Sequence, residues 1–238
     1  MPYHITASSI PERVLLTGDP DRAALFAESL LRQPELLSRS RGFMVYRGLF
    51  EGVPVGIVSH GIGGPSALIV AEELNMIGAR KLVRVGTAGS LMPDLRVGDI
   101  IVAKGAGLSC GGGGLSLYYP PGVCPVPSPD PELTLALLSK AVSEGLSPRL
   151  ALVFSSDSFY AEDESFSGRL RSLGFSAVEM ECGPLLSLAN LRGLRASCIL
   201  VISNVVGHAE PPPNQEVLRE SLLAAAKVAL KALGSLKP

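Results

Sequence analysis

The chain has 238 residues, 47% of them hydrophobic and 18% charged, with a net charge of -1. That length supports one large domain with a substantial core, and the balanced charge argues against the basic face that nucleic-acid binding requires. No apolar run reaches the about 18 residues of a membrane span, and the opening stretch MPYHITASSIPERV has no apolar signal core, so a cytoplasmic location is expected. High apolar content with little charge points to a chain that also packs against copies of itself. The four cysteines, Cys110, Cys124, Cys182 and Cys198, form no C-x-x-C pair, so no metal is expected. They are read as buried thiols, with a disulfide as the lesser alternative.

Arg13 to Thr17 reads as a short strand. Gly18-Asp19-Pro20-Asp21 follows, where Asp19 suits a helix cap and Pro20 a first turn. The apolar spacing from Arg22 to Leu31 is helical. Free N–H groups at that helix start suit an anion, and Arg22 there opposes the helix dipole unless an anion lies between them. Arg41 to Phe50 and Val53 to Ser59 read as strands joined at Glu51-Gly52. His60-Gly61-Ile62-Gly63-Gly64-Pro65-Ser66 is a glycine-rich loop feeding a helix from Ser66 to Ile77. Its glycine spacing fails as a dinucleotide fingerprint. Close approach of backbone to a ligand or neighbouring subunit is the better use of those glycines.

Lys81 to Ser90 begins as a buried apolar strand and is expected to open into a tight loop at Gly86-Thr87-Ala88-Gly89. Arg84 inside that run must face an anion, because an unpaired buried guanidinium costs several kcal/mol. The anion is either an acid such as Asp99 or a ligand at the strand's carboxyl end. Val97 to Ala103 is the next strand. Gly105 to Pro129 is poor in charge and rich in glycine and proline, the composition of a functional loop, a mobile one or an oligomer contact. Helices are expected over Pro131–Gly145, Ser165–Leu173, Cys182–Arg192 and Gln215–Leu233, and strands over Arg149–Phe154, Ser176–Val178 and Ser197–Ser203. Pro211 to Pro213 reads as a rigid spacer. Strands alternating with helices give an α/β class with a mostly parallel or mixed sheet in a single domain over residues 1–238, without internal repeats.

Three arginines can hold phosphate without a metal: Arg22 at a helix start, Arg41 before a strand and Arg84 inside one, with the Thr87 hydroxyl beside them. Glu179 and Glu181, one residue apart, would point the same way on an extended strand, and one could accept both hydroxyls of a vicinal diol. Their alternative is a surface pair at a strand end. Phe159 and Tyr160 suit stacking on a flat base or, equally, core packing. Asn204 can donate and accept at once. His4 lies in what reads as a mobile N-terminal segment.

Five motifs now stand in order: Gly18-Asp19-Pro20-x-Arg22, His60 to Ser66, Arg84-Val85-Gly86-Thr87-Ala88-Gly89, Ser155 to Tyr160, and Val178-Glu179-Met180-Glu181. Together they resemble the hexameric nucleoside phosphorylase family, the purine nucleoside and uridine phosphorylase superfamily. Arg41-Gly42-Phe43-x-x-Tyr46 and Phe159 to Glu164 look most like its archaeal branch, which includes 5'-methylthioadenosine phosphorylases. The resemblance implies a distorted barrel of mixed sheet flanked by helices, no organic cofactor, and inorganic phosphate as co-substrate. It implies a homo-oligomer, a hexamer built as a trimer of dimers, that binds neither nucleic acid nor membrane.

The resemblance also implies residue roles. Gly18, Arg22, Arg84 and Thr87 would bind phosphate, with Arg41 reaching in from a neighbouring subunit. Met180 and Glu181 would hold the ribose, and His4 of the neighbour would meet the 5' substituent. Ala88, Gly89, Phe159, Glu179, Ser203 and Asn204 would line the base pocket. Arg84, Glu181 and Asn204 would carry the chemistry: phosphorolysis of a nucleoside, a purine nucleoside first, with uridine or a water-using nucleosidase as alternatives. Where uridine enzymes of the family carry a Gln and an Arg that read uracil, this chain has Asp163 and Ser165. Where many purine enzymes carry a proton-donating Asp, it has Asn204, which can only hydrogen-bond.

Overall fold

The computed structural model describes residues 2–206 and 214–236. The predicted spacer at Pro211 to Pro213 lies outside them. In chain order the elements are β1 Arg13–Thr17, α1 Pro20–Leu30, β2 Arg32–Ser40, β3 Phe43–Phe50, β4 Val53–Ser59, α2 Gly64–Met76, β5 Lys81–Ser90 and β6 Ile100–Leu108. Then follow α3 Pro131–Ser143, β7 Arg149–Ser155, α4 Glu164–Ser172, β8 Ala177–Glu179, α5 Cys182–Arg192, β9 Arg195–Val205 and α6 Gln215–Ser235. The sheet runs β2-β3-β4-β1-β5-β8-β7-β6-β9, and β9 pairs back onto β5. Five strands therefore close a barrel of mixed direction, and β2, β3, β4 and β1 extend from it as an open wing. The expected α/β class and barrel are observed.

Alternation along the central strands divides the core. Leu15, Val83 and Val85 face α1, α3 and α6 with Ile199 and Val201. Leu16 and Leu82 face the other way, toward α2 and α5, with Cys198 and Leu200. Strands covered on both sides read as unbroken apolar runs, which is why these were legible.

Several expectations are corrected. Lys81 to Ser90 does not open at its glycines but stays one strand, paired in parallel with β9 to its last residue. The glycine at 86 serves packing: a Cβ there would stand 2.4 Å from Arg84 Nη1. The strand expected from Val97 starts at Ile100, because Gly98 has φ +93° and Asp99 closes a turn onto Arg96. It continues to Leu108, where it pairs with β7. β2 was not anticipated. It is an exposed edge strand with Pro34 and two register shifts, so it shows no clean period of two. Cys110 and Cys124 are not free thiols but a disulfide with Cα atoms 5.2 Å apart, while Cys182 and Cys198 are buried thiols as expected. The cap is as read, with the Asp19 carboxylate accepting from the Asp21 N–H at 2.8 Å. No helix among the described residues is long and apolar enough to cross a membrane.

Candidate active site

The site lies at the carboxyl ends of β1, β4 and β5, where loops can meet a ligand without breaking the sheet. Arg84 is its centre. Its partner is not Asp99, whose carboxylate accepts from the Arg96 N–H at 2.8 Å. Instead Nη2 donates to Glu181 Oε2, and Nη1 lies 3.4 Å from Glu179 Oε2 and 3.6 Å from Cys182 Sγ. Burial alone would lower the Arg84 pKa, but Glu181, Cys182, Glu179 and Cys198 together outweigh it and the net direction is up. Burial likewise raises Glu181, and Arg84, His60 and the Gly63 N–H together more than reverse it, so that carboxyl is held below its usual range. Glu181 Oε1 accepts from the Gly63 N–H at 2.6 Å. Gly63 has φ +85°, a backbone that a side chain would strain, so the glycine-rich loop serves to bring this N–H to the carboxylate.

A cavity of about 930 Å³ opens over this cluster. Gly18, Arg22, Arg41, Arg84 and Thr87 are among its lining residues, so the three arginines spread along the chain meet at one cavity. Arg22 sits in the first turn of α1 with Nε 3.5 Å from Asp19 Oδ2. Burial lowers its pKa, and the Arg84 cation adds to that effect, as expected of like charges gathered where an anion belongs. Arg41, at φ +54° in the turn between β2 and β3, makes no ion pair among the described residues. It was expected from a neighbouring subunit, and it lines the cavity of its own chain.

Met180 and Glu181 line the cavity, as do Ala88, Gly89, Phe159, Ser203 and Asn204. Ser203 Oγ lies 2.9 Å from Asn204 Oδ1 and donates to it, which leaves the amide nitrogen to donate elsewhere. Phe159 is 60% exposed and Tyr160 fully so, and their rings meet edge to face at 5.3 Å. They form a rim, not core. Asp163 and Ser165 do not line the cavity. Asp163 caps α4, accepting from the Phe166 N–H at 2.7 Å and the Ser165 hydroxyl at 2.8 Å.

Two expectations fail here, the mobile N-terminal segment and the shared strand face. His4, expected at a neighbour's site, lines a second depression beside α2 of its own chain. Its segment is also pinned: the Glu73 carboxylate accepts from the N–H groups of Tyr3, His4 and Ile5 and lies 2.7 Å from His4 Nδ1. The two carboxylates of Glu179 and Glu181 do not share a strand face. β8 ends at Glu179, and Glu181 is the capping residue of α5. Glu179 is among the residues lining the cavity, with its side chain 1% exposed.

Other residues were not singled out by sequence. Glu162 lines the cavity next to the aromatic rim, and burial pushes its carboxyl pKa up against the opposing Ser156 hydrogen bond. It sits in an acidic run that looks solvated. His60 is buried behind Gly18, with neither ring nitrogen hydrogen-bonded within the protein. Among the described residues, no cluster of His, Cys, Asp and Glu is placed to hold a metal ion.

A cavity so built suits two ligands side by side, an anion and a flat hydrogen-bonding molecule, the arrangement of a group-transfer enzyme. A phosphorylase superfamily model matches residues 12–236, and the chain belongs to that family, among its nucleoside phosphorylases. It is 36% identical over 217 residues to a uridine phosphorylase of Thermococcus kodakarensis, covering 85% of this chain and 76% of the relative. It is 34% identical over 219 residues to a DeoD-type purine nucleoside phosphorylase of Clostridium perfringens, covering 91% of this chain and 92% of the relative. The solved structure of a uridine phosphorylase from Vibrio fischeri matches with a TM-score of 0.89 at 28% identity, over 99% of this chain and 98% of that one. A purine nucleoside phosphorylase from Toxoplasma gondii, in complex with immucillin-H, matches with a TM-score of 0.83 at 25% identity, over 94% and 91%.

Proposed function

We propose that the protein cleaves a purine nucleoside with inorganic phosphate, giving free base and ribose 1-phosphate, and that 5'-methylthioadenosine is among its substrates. The carrying observation is the convergence of Arg22, Arg41 and Arg84 on one cavity beside Glu181. Phosphate takes the arginine end with Gly18 and Thr87. Glu181 accepts from the ribose hydroxyls beside Met180. The base lies against Ala88, Gly89, Phe159, Ser203 and Asn204.

The C1'–N bond breaks with its electron pair leaving on the base, while a phosphate oxygen bonds C1' from the opposite face. Anionic phosphate and Glu181 stabilise the positive charge that develops on the sugar. Asn204 donates to the departing base, and Glu162 is a further polar residue of the same cavity. Holding both reactants in one pocket removes much of the entropic barrier. No cofactor takes part in this reading. The capping role of Asp163 favours a purine over uracil, since the position that would read uracil is turned to the helix.

A homohexamer acting in the cytoplasm belongs to the same reading. Tyr3, Ile62 and Leu117 are 84%, 79% and 98% exposed, apolar side chains of the kind a second copy covers. In such an assembly His4 would complete a neighbour's site.

The test is base release from inosine, guanosine, adenosine, methylthioadenosine and uridine, each with and without phosphate. Phosphate-dependent release from the purine nucleosides is expected, and Arg84→Ala should abolish it or raise the phosphate KM. Undiminished release without phosphate indicates a nucleosidase. Release from uridine alone reverses the base assignment, and ligand binding without release indicates a binding protein.

A further inference from the structure

We propose that Glu179 is a positioning residue, which sets where Arg84 and Glu181 stand and does not read the base. The proposal rests on the phosphorolytic reading of the same cavity. The Glu179 carboxylate has its acceptor sites taken from within the protein. Oε1 accepts from the Ser155 hydroxyl. Oε2 accepts from the N–H groups of Glu181 at 2.8 Å and Cys182 at 2.9 Å and lies 3.4 Å from Arg84 Nη1. A carboxylate offers about four lone-pair sites, so little remains for a ligand. The side chain is 1% exposed while the residue is 5% exposed, so main chain supplies its share of the cavity wall.

These bonds act on the two groups that meet substrate. Glu181 caps α5, and its backbone N–H ends on Glu179. Cys182 opens the same helix and ends on the same oxygen. An anion at a helix start is further favoured by the dipole. Ser155 is held in turn, because its Oγ accepts from the Gly183 N–H at 2.7 Å. A Cβ at Gly183 would stand 3.0 Å from that Oγ, so residue 183 keeps this approach close. The Arg84 fork thus lies between two carboxylates, that of Glu181, bonded also to the Gly63 N–H, and that of Glu179, bonded to the start of α5. Without Glu179 three donors lose their acceptor, and Arg84 is left to Glu181 alone.

The experiment compares wild type with Glu179→Gln in steady-state kinetics on purine nucleosides and uridine over a range of phosphate, with thermal melting alongside. The glutamine keeps an oxygen for the helix N–H groups and removes the charge facing Arg84. A rise in phosphate KM with a fall in kcat of about tenfold or more, at an unchanged ratio of kcat/KM between bases, supports the proposal. A changed base ratio at unchanged phosphate KM makes Glu179 a base contact and overturns it. So does a lower melting temperature with wild-type kinetics, the mark of a merely structural residue. Should Glu179→Gln not fold, Ser155→Ala keeps the charge, removes one donor and should move the same parameters in the same direction by less. A wild type that releases no base from any nucleoside refutes the phosphorolytic reading by itself. Positioning of Arg84 is then read by calorimetry with inorganic phosphate, where weaker binding in Glu179→Gln supports it and equal binding overturns it.

Discussion

His60 follows β4, with its imidazole fully buried and neither ring nitrogen hydrogen-bonded within the protein. Burial, and after it the Arg84 cation, lowers its pKa from 6.5 to about 4. The unfolded imidazole takes a proton below pH 6.5 that the folded one refuses, so stability falls as the pH drops from 6.5 toward 4. Between pH 7 and pH 5 this loss amounts to about 2 kcal/mol. Glu181 acts in a lower window. Its depressed pKa contributes stability above 4.5, the ordinary carboxyl value, that is lost below it. Urea unfolding at fixed protein concentration should therefore show wild type losing stability across pH 7 to 5, and His60→Gln losing about 2 kcal/mol less. Equal losses in the two proteins would place the imidazole charge elsewhere. At this scale the sequence marks Arg84 plainly, because a charge inside an apolar run needs an anion. It does not mark His60, since a histidine in a glycine loop carries no sign of burial. It misplaces Glu179, since the alternation rule assumes a strand that continues, and a helix cap breaks it two residues later.

The segment between β6 and α3 shows how an element can be legible in composition and not in role. Gly113 fits between α2 and α5: a Cβ on Gly64 would stand 2.4 Å from the Gly113 carbonyl oxygen, and one on Gly113 would stand 2.3 Å from Pro184 Cγ. The Asp157 carboxylate accepts from the Gly113 N–H at 2.9 Å, and Leu115 is wholly buried. Gly113 enters these contacts with its backbone alone, so the chain signals them only as a run of glycines. The strap crosses the starts of the two helices whose leading residues, Gly63 and Glu181, are bonded to each other. The Cys110–Cys124 disulfide closes it across a separation of 14 residues. Such a closure stabilises by about 3 kcal/mol through the unfolded chain. Adding dithiothreitol should lower the urea midpoint of wild type, and leave unchanged that of a Cys110→Ser, Cys124→Ser double variant. A wild-type midpoint indifferent to reductant would show that packing of Gly113 and Leu115 alone secures the strap. β2 and β5 extend the lesson. An exposed edge strand hides its period under charged residues, and a strand kept regular through glycines looks like its own end.

At the scale of the molecule, β5 is where the wing meets the barrel, paired with β1 and, further along the same edge, with β8, and on the other edge with β9. The order of the motifs along the chain shows which segments belong together. The closure of five strands that sets Glu181 against an arginine some hundred residues earlier is a tertiary fact that spacing does not carry. In the free protein the residue assigned to phosphate and the residue assigned to ribose hold each other, through Arg84 Nη2 and Glu181 Oε2. Whichever ligand arrives first must separate them, and the second finds them separated. The two affinities are then linked, and by thermodynamic reciprocity each ligand improves the other by the same factor, on the order of fivefold or more. Sulfate, an anion of the same shape that does not react, allows this to be measured without turnover. Calorimetric titration with a nucleoside should show tighter binding when sulfate is present. Glu181→Gln, whose amide offers Arg84 no counter-charge, should show little such gain. Equal nucleoside affinity with and without sulfate in wild type would mean that the ion pair across β5 and α5 survives ligand binding, and that the two halves of the cavity fill independently.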